Sequence, residues 1–273
     1  MWVRRAAIRP VPAYAQVPLR SLATVEDQLG EDDEQARARL DEAFSRFETR
    51  VYSLQNGKWL KIADLPFLTR GYQDATGKRV LATQQITDDG FPFAFGSIYP
   101  LAYKDGRYAQ GRPRVNLPRV DWLYEFTTAQ IGAGDPAVLY LTTTHRLRVQ
   151  FGKEWWVTPD DDYGQTPLRL RWHDKMLEFN PPIVVAYGPA GFDAAYAVRN
   201  MAALGGLASP FGVFNHAELV GKHWNGLGLE TVWKADLSGC AQGLALVDAG
   251  GRKELAVAVR GSAGQSSVWT FAP

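Results

Sequence analysis

A hairpin that recurs along the chain constrains its fold more than any other feature. Val51 and Leu54 lead through Asn56-Gly57 into Trp59, and this order of apolar residues, tight turn and aromatic residue returns three times. Alternation with a period of two around a glycine turn predicts a pair of antiparallel strands at each copy. The later copies centre on Asp105-Gly106, Gly152-Lys153 and Asn225-Gly226.

The spacing of these hairpins predicts the architecture. Their turn glycines are 49, 46 and 74 residues apart. Two of these intervals match the roughly 40–50 residues of one propeller blade, and the third indicates an insertion. Continuously apolar runs between the hairpins are typical of strands buried on both faces, and they occupy residues 80–82, 137–141, 183–187 and 255–259. We therefore predict an all-β, β-propeller-like domain of about four to five antiparallel blades over residues 48–273.

The N-terminal region has a different pattern. After the acidic cluster at 31–34, apolar residues recur every three or four positions at Ala36, Leu40, Ala43, Phe44 and Phe47. This predicts a helix at about 32–46, within an N-terminal extension of residues 1–47. The start of the chain is basic, but Arg9 and two prolines interrupt the apolar run that a signal peptide needs, so no intact signal peptide is expected.

Composition excludes several classes of partner. The formal charge is +1, so no global field draws the chain to nucleic acid. No apolar stretch reaches the ~20 residues of a membrane span. The single cysteine, Cys240, precedes an apolar run, which favours a buried thiol.

Glycines and prolines at 188–212 predict long loops there, where propellers tend to carry their functional residues.

The chain resembles the VCBS/FG-GAP-type repeats of bacterial proteins over roughly residues 48–273. The resemblance is carried by HAELVGKHWNGLGLETVWKADL, GLALVDAGGRKELAVAV and SSVWTFAP, with similar units at FTTAQIGAGDPAVLYLTTTHRLRVQF and PPIVVAYGPAGFDAAYAVRNMA. It implies a β-propeller that is usually extracytoplasmic and carries calcium loops before its apolar strands.

The expected calcium loops lack their carboxylates in this chain. Ala129, Ile131 and Ala133 stand before one apolar strand, Asp193 is alone before another, and Asp248 is followed by Ala249-Gly250-Gly251. Calcium takes about six to eight oxygen ligands. We therefore predict that the ion has been lost and that the protein has no cofactor.

Few residues stand out as a site. Trp122, Trp155 and Trp156 are the candidates for a surface contact, since exposed rings stack on sugars or bind peptides, although most aromatic residues belong to cores. Asp160, Asp161 and Asp162 form a dense carboxylate run that is a weak metal candidate and otherwise a solvated loop. No nucleophile elbow, phosphate loop or dinucleotide fingerprint is present.

Two functions follow from this pattern. One is a non-catalytic scaffold that recognises a protein or a polysaccharide through the propeller face and its insertion loops. The alternative is a carbohydrate-active enzyme, a glycosidase or lyase, with carboxylates converging on one face. If the ring of blades is incomplete, its open strand edges predict association with another chain.

Overall fold

The computed structural model describes residues 4–6, 49–76, 78–85, 96–112, 120, 122–160, 163–172, 175–202, 213–261 and 264–273. These ranges contain strands and no α-helix, which confirms an all-β fold for them. The helix predicted at 32–46 lies outside the described residues. The strands are β1 (Arg4–Ala6), β2 (Thr49–Gln55), β3 (Lys58–Leu65), β4 (Leu68–Gln73), β5 (Arg79–Gln84), β6 (Ile98–Lys104), β7 (Arg107–Gln110), β8 (Phe126–Ala129), β9 (Ala137–Leu141), β10 (Leu147–Phe151), β11 (Glu154–Val157), β12 (Arg169–Trp172), β13 (Lys175–Glu178), β14 (Val184–Gly188), β15 (Gly191–Ala202), β16 (Phe214–Trp224), β17 (Leu229–Leu237), β18 (Cys240–Asp248), β19 (Lys253–Arg260) and β20 (Ser266–Phe271).

Four four-stranded antiparallel sheets form a propeller-like arrangement, as predicted. We number them as blades in chain order and give their strands from the axis outward. Blade 1 is β4-β5-β6-β7, blade 2 is β8-β9-β10-β11, blade 3 is β14-β15-β16-β17 and blade 4 is β18-β19-β20-β1. The first strands of all four blades line one cavity, which places them at the axis.

The recurring hairpin is the outer strand pair of blades 1 to 3. It appears as β6–β7, β10–β11 and β16–β17, with turns where the sequence predicts them. Blade 4 has no such hairpin because its fourth strand is β1, which pairs through Arg4↔Thr270 and Ala6↔Val268. Residues assigned to the N-terminal extension therefore complete the last blade.

Two further hairpins lie outside the blades. The first predicted hairpin is β2–β3, a separate two-stranded sheet that precedes blade 1. Its large apolar side chains are exposed, Trp59 at 68%. The insertion predicted before the fourth copy is β12–β13, between blades 2 and 3.

Apolar side chains fill three of the junctions between blades. One buried cluster joins blades 1 and 2, a second joins blades 2 and 3, and a third joins blades 3 and 4. The strand β15 contributes side chains to two of these clusters. Ala195 and Ala197 face blade 2, whereas Ala194, Tyr196 and Val198 face blade 4, because successive side chains of a strand point to opposite faces.

Two local predictions are wrong. Residues 191–202 form a twelve-residue strand and not the loop expected over 188–212, because their small and apolar side chains are buried between two blades. The runs at 255–259 and 80–82 are not buried on both faces, since Ala258 and Leu81 are exposed. The run at 137–141 is buried throughout, as predicted.

Candidate functional site

A cavity of about 600 Å³ lies at the axis of the propeller. We call it the axial cavity. Its walls come from the inner strands of all four blades, but most of them belong to blades 1 and 4. It is lined by Arg70, Gly71, Tyr72, Arg79, Thr127, Pro182, Ile183, Val184, Leu244, Ala245, Leu246, Val247, Asp248 and Lys253.

Tyr187 ties the ends of three inner strands together near this axis. Its hydroxyl accepts a hydrogen bond from the backbone N–H of Gln130 at 3.1 Å and donates one to the carbonyl of Ala75 at 3.3 Å. Burial raises the pKa of Tyr187, so the hydroxyl keeps its proton and its donor role at neutral pH. The turns that follow β4, β8 and β14 therefore meet on one side, which we call the turn face.

Arg70 is the most constrained charge of the axial cavity. Its Nη1 donates to the carbonyls of Leu123 at 2.8 Å and Phe126 at 3.0 Å. Burial lowers the pKa of Arg70 to about 10, so the guanidinium remains charged at neutral pH. Arg79 and Lys253 are exposed and line the same cavity, whose described lining contains one carboxylate, Asp248.

A second concavity, of about 420 Å³, lies between the turns of blade 2 and the end of β16 in blade 3. We call it the aromatic groove, because it is lined by the partly exposed rings of Phe151 and Trp224, whose centroids are 5.1 Å apart. Asp135 and Glu154 contribute exposed carboxylates to the same lining. The other lining residues are Ile131, Gly134 and Gly152.

Hydrogen bonds within the turns fix the walls of the aromatic groove. The Oδ1 of Asn225 accepts from the backbone N–H groups of Leu227 and Gly228, which closes the turn after Trp224. The Nε2 of Gln130 donates to the carbonyl of Gly134, and the Nε2 of Gln150 donates to that of Gly152. Such walls are formed before a ligand arrives, which reduces the entropy lost on binding.

Trp156 supports the groove from behind. Its indole packs so closely on Gly228 that a Cβ added to the glycine would lie 2.6 Å from the ring. It also makes an edge contact with Trp224, at 6.4 Å between centroids. Trp156 is partly buried and packs on the core between blades 2 and 3. This predicted contact residue therefore positions the groove.

Trp155 lies on the opposite face of β11, as expected for adjacent residues of a strand. It is 52% exposed, and the guanidinium of Arg148 stacks over its ring at 4.4 Å. The structure thus separates the two predicted tryptophans onto different faces of blade 2.

The expectation that Trp122 is exposed is wrong. Its side chain is 1% exposed, and its Nε1 donates to the carbonyl of Glu178 at 2.6 Å. The ring packs against Tyr124 and Phe179 in the core between blades 1 and 2. The neighbouring Asp121 in the sequence suggested a polar surface, but the side chains that pack around Trp122 are apolar.

Asp160 is engaged by a buried lysine. Its Oδ2 accepts hydrogen bonds from the hydroxyl of Tyr163 at 2.5 Å and from the Nζ of Lys222 at 3.1 Å. Burial acts to raise the pKa of Asp160, but these two hydrogen bonds and the lysine charge outweigh burial and lower it. Asp161 and Asp162 lie outside the described residues. Within the described ranges, no group of three or more His, Cys, Asp or Glu residues is arranged to hold a metal ion.

Sequence reasoning missed most residues of both concavities. Arg70, Arg79 and Lys253 belong to different strands and show no spacing that links them. Trp224 was visible as part of a hairpin, but Phe151, Asp135 and Glu154 join it only after blades 2 and 3 pack. Turn chemistry was a signal for part of the groove, since Phe151 and Glu154 flank the predicted turn at Gly152-Lys153 and Trp224 precedes the one at Asn225-Gly226.

Comparison with known proteins adds no identity. No family model matches the chain, and no curated protein matches it. The propeller-like architecture is shown by the strand topology. The resemblance to VCBS/FG-GAP repeats stays a prediction. Among the described residues, no helix is long and apolar enough to cross a membrane.

Proposed function

We propose that this protein is a non-catalytic binding scaffold that recognises a polysaccharide through the aromatic groove on its turn face. The observation that carries the proposal is the combination of two partly exposed aromatic rings with two carboxylates in one concavity. Pyranose rings present apolar C–H faces and hydroxyl edges. Phe151 and Trp224 suit the former, while Asp135 and Glu154 suit the latter as hydrogen-bond acceptors.

The setting of the groove supports recognition of a chain over recognition of a small molecule. The groove lies between two blades and is open, and its carboxylates are exposed. An open groove lets a polymer enter and leave along its length, whereas small ligands are usually enclosed. Leu227, three residues after Trp224, is 85% exposed and extends the apolar surface of this turn.

The test is binding of the full chain to neutral and acidic polysaccharides by affinity electrophoresis, followed by calorimetry on short oligosaccharides. We expect Trp224→Ala to weaken binding by about tenfold or more, as expected when a central aromatic contact is removed. Trp59→Ala is the matched control, because Trp59 is exposed but lies in β3, outside the groove. Equal loss in both variants, or no retention of wild type by any polysaccharide, contradicts the proposal. If a protein ligand is found to bind at Trp224 instead, the partner is a protein and not a polysaccharide.

A glycosidase is the second candidate, because Asp135 and Glu154 line one groove beside the rings. Hydrolysis by a pair of carboxylates requires both residues. If wild type releases reducing ends from a bound polysaccharide and both Asp135→Asn and Glu154→Gln abolish release, the protein is an enzyme. We expect no release, and we expect each variant to weaken binding by severalfold through the loss of one acceptor.

A further inference from the structure

We infer that the axial cavity is a second binding site, for a small organic anion that carries a carboxylate or phosphate group. The cavity is separate from the aromatic groove, and the two linings share no residue. The inference rests on how the blades pack, on the charges of the cavity and on the geometry of Arg70.

Most of the lining of the axial cavity borders the one junction that the described apolar side chains do not fill. Buried clusters join blades 1 and 2, 2 and 3, and 3 and 4, and the described residues form no such cluster between blades 4 and 1. Residues 70–72 of blade 1 and 244–248 of blade 4 form most of the cavity wall beside that junction, and Thr127 with residues 182–184 completes the wall at the axis. Protein interiors are close-packed, so an unfilled space of about 600 Å³ is unusual, and it lies within the size range of small-molecule sites.

The charges around this space are unbalanced. Three cationic side chains line it, Arg70, Arg79 and Lys253, against one described carboxylate, that of Asp248. Asp248 and Lys253 are direct cross-strand partners of β18 and β19, so the acid stands beside the lysine. Its Oδ1 already accepts the backbone N–H of Gly251 at 2.7 Å. Arg70 and Arg79 supply positive charge on the opposite wall, and the charge of Glu125 also acts on the Arg70 guanidinium.

One nitrogen of the Arg70 guanidinium is held by two backbone carbonyls. Its Nη1 is committed to the carbonyls of Leu123 and Phe126, which anchors the guanidinium plane. The Nε and Nη2 groups form no hydrogen bond or ion pair with the described residues. These two donors lie side by side on a planar fork that matches two oxygens of a carboxylate or phosphate. Gly71 follows in the strand and presents no side chain to a ligand in the cavity.

The experiment is calorimetry and thermal melting of the full chain at low ionic strength with three probes: glucuronate, inorganic phosphate and neutral glucose. We expect glucuronate or phosphate to bind and to raise the melting temperature, and glucose to do neither. Binding of glucuronate alone identifies a carboxylate ligand, and binding of phosphate alone identifies a phosphate ligand. Affinity should fall as salt is added, because the attraction is screened.

The variants separate this site from general charge effects. Arg79→Gln together with Lys253→Gln should weaken binding by about tenfold or more, without lowering the melting temperature of the free protein, because both side chains are exposed. Arg70→Lys keeps the charge but loses the fork, and should weaken binding similarly. Asp248→Asn should tighten binding severalfold, since it removes the acid and keeps the acceptor for Gly251.

Two controls complete the design. Lys58→Gln removes an exposed charge in the β2–β3 hairpin and should leave binding unchanged. Trp224→Ala should also leave it unchanged, which makes the outcome independent of polysaccharide binding at the groove. The inference is overturned if neither anion binds at millimolar concentration, if Lys58→Gln weakens binding as much as the cavity variants, or if Asp248→Asn weakens it.

Discussion

The pair formed by Asp160 and Lys222 should respond asymmetrically to the loss of either partner. Lys222 is 2% exposed, whereas the Asp160 side chain is 32% exposed. Besides this carboxylate, the ammonium has the ring of Tyr163 nearby, with its centroid 5.7 Å from Nζ. Asp160→Asn therefore leaves an ammonium inside the protein with no countercharge, while Lys222→Met leaves a carboxylate that water can reach.

The magnitudes follow from that difference. Removing one partner of a buried ion pair costs about 3–5 kcal/mol when the other charge stays buried, and we expect Asp160→Asn to fall in that range. Lys222→Met should cost at most about 1 kcal/mol, because the carboxylate keeps its bond from Tyr163 and methionine fills the buried space. At roughly 2–4 °C per kcal/mol for a chain of about this size, the two variants should differ by several degrees in melting temperature.

The assay is urea unfolding followed by tryptophan fluorescence, on wild type, both single variants and the double variant. The double variant should be about as stable as Lys222→Met, since the buried charge is then absent, and the coupling should be about 2 kcal/mol or more. Equal costs for the two single variants, or strict additivity in the double variant, would refute the reasoning. Either result would mean that Lys222 is hydrated in solution.

The same pair makes stability depend on pH. The pKa of Asp160 is lower in the fold than in the unfolded chain. Its contribution is therefore complete above the ordinary carboxyl pKa of about 4, and is lost as the pH falls through the lowered folded value. Lys222→Met removes two causes of the lowering, so the free energy of unfolding should fall less between pH 6 and pH 3 in this variant than in wild type.

Three further predictions concern other parts of the fold. Burial raises the pKa of Cys240 to about 11, so its thiol should react slowly with iodoacetamide at pH 8 in the native protein and fully in urea, and rapid native labelling would contradict this. Deletion of residues 2–6 removes β1 and bares the edge of β20, so the melting temperature should fall and light scattering should rise, whereas unchanged stability would show that the pairing is dispensable. Millimolar calcium should leave the melting temperature unchanged, since the Asp248 carboxylate already accepts the backbone N–H of Gly251, and a calcium-dependent rise would contradict the predicted loss of the ion.

The elements that could be predicted are those encoded locally. Asn56-Gly57 and Asp105-Gly106 adopt the positive φ angles that such tight turns require, at 50°, 75°, 52° and 76° in order. The flanking alternation then specifies the strands on either side. This is why the repeating hairpins, the 46-residue step from blade 1 to blade 2 and the insertion before the fourth copy were readable from one sequence. The 49-residue interval, by contrast, starts at the β2–β3 hairpin outside the blades and is not a blade period.

The parts that could not be predicted depend on packing between distant segments. The glycines at 188 and 191 suggested a loop, but the strand that follows is stabilised by burial against two neighbouring blades. The same holds for Trp122. The preceding residue in the sequence, Asp121, is polar, but the side chains that contact the Trp122 ring are aromatic. Both concavities fall in this class, because their residues converge only when whole blades pack.

The pairing of β1 with β20 has a consequence for biosynthesis. On the ribosome, residues 4–6 are made before any blade, yet their partner is made after blades 1 to 3. The nascent chain must keep this strand unpaired while blades 1 to 3 are made, at about 5–20 residues per second. Joining such distant segments is slow, so the step that completes blade 4 is the stage at which chaperones would have the longest opportunity to engage the newly made protein.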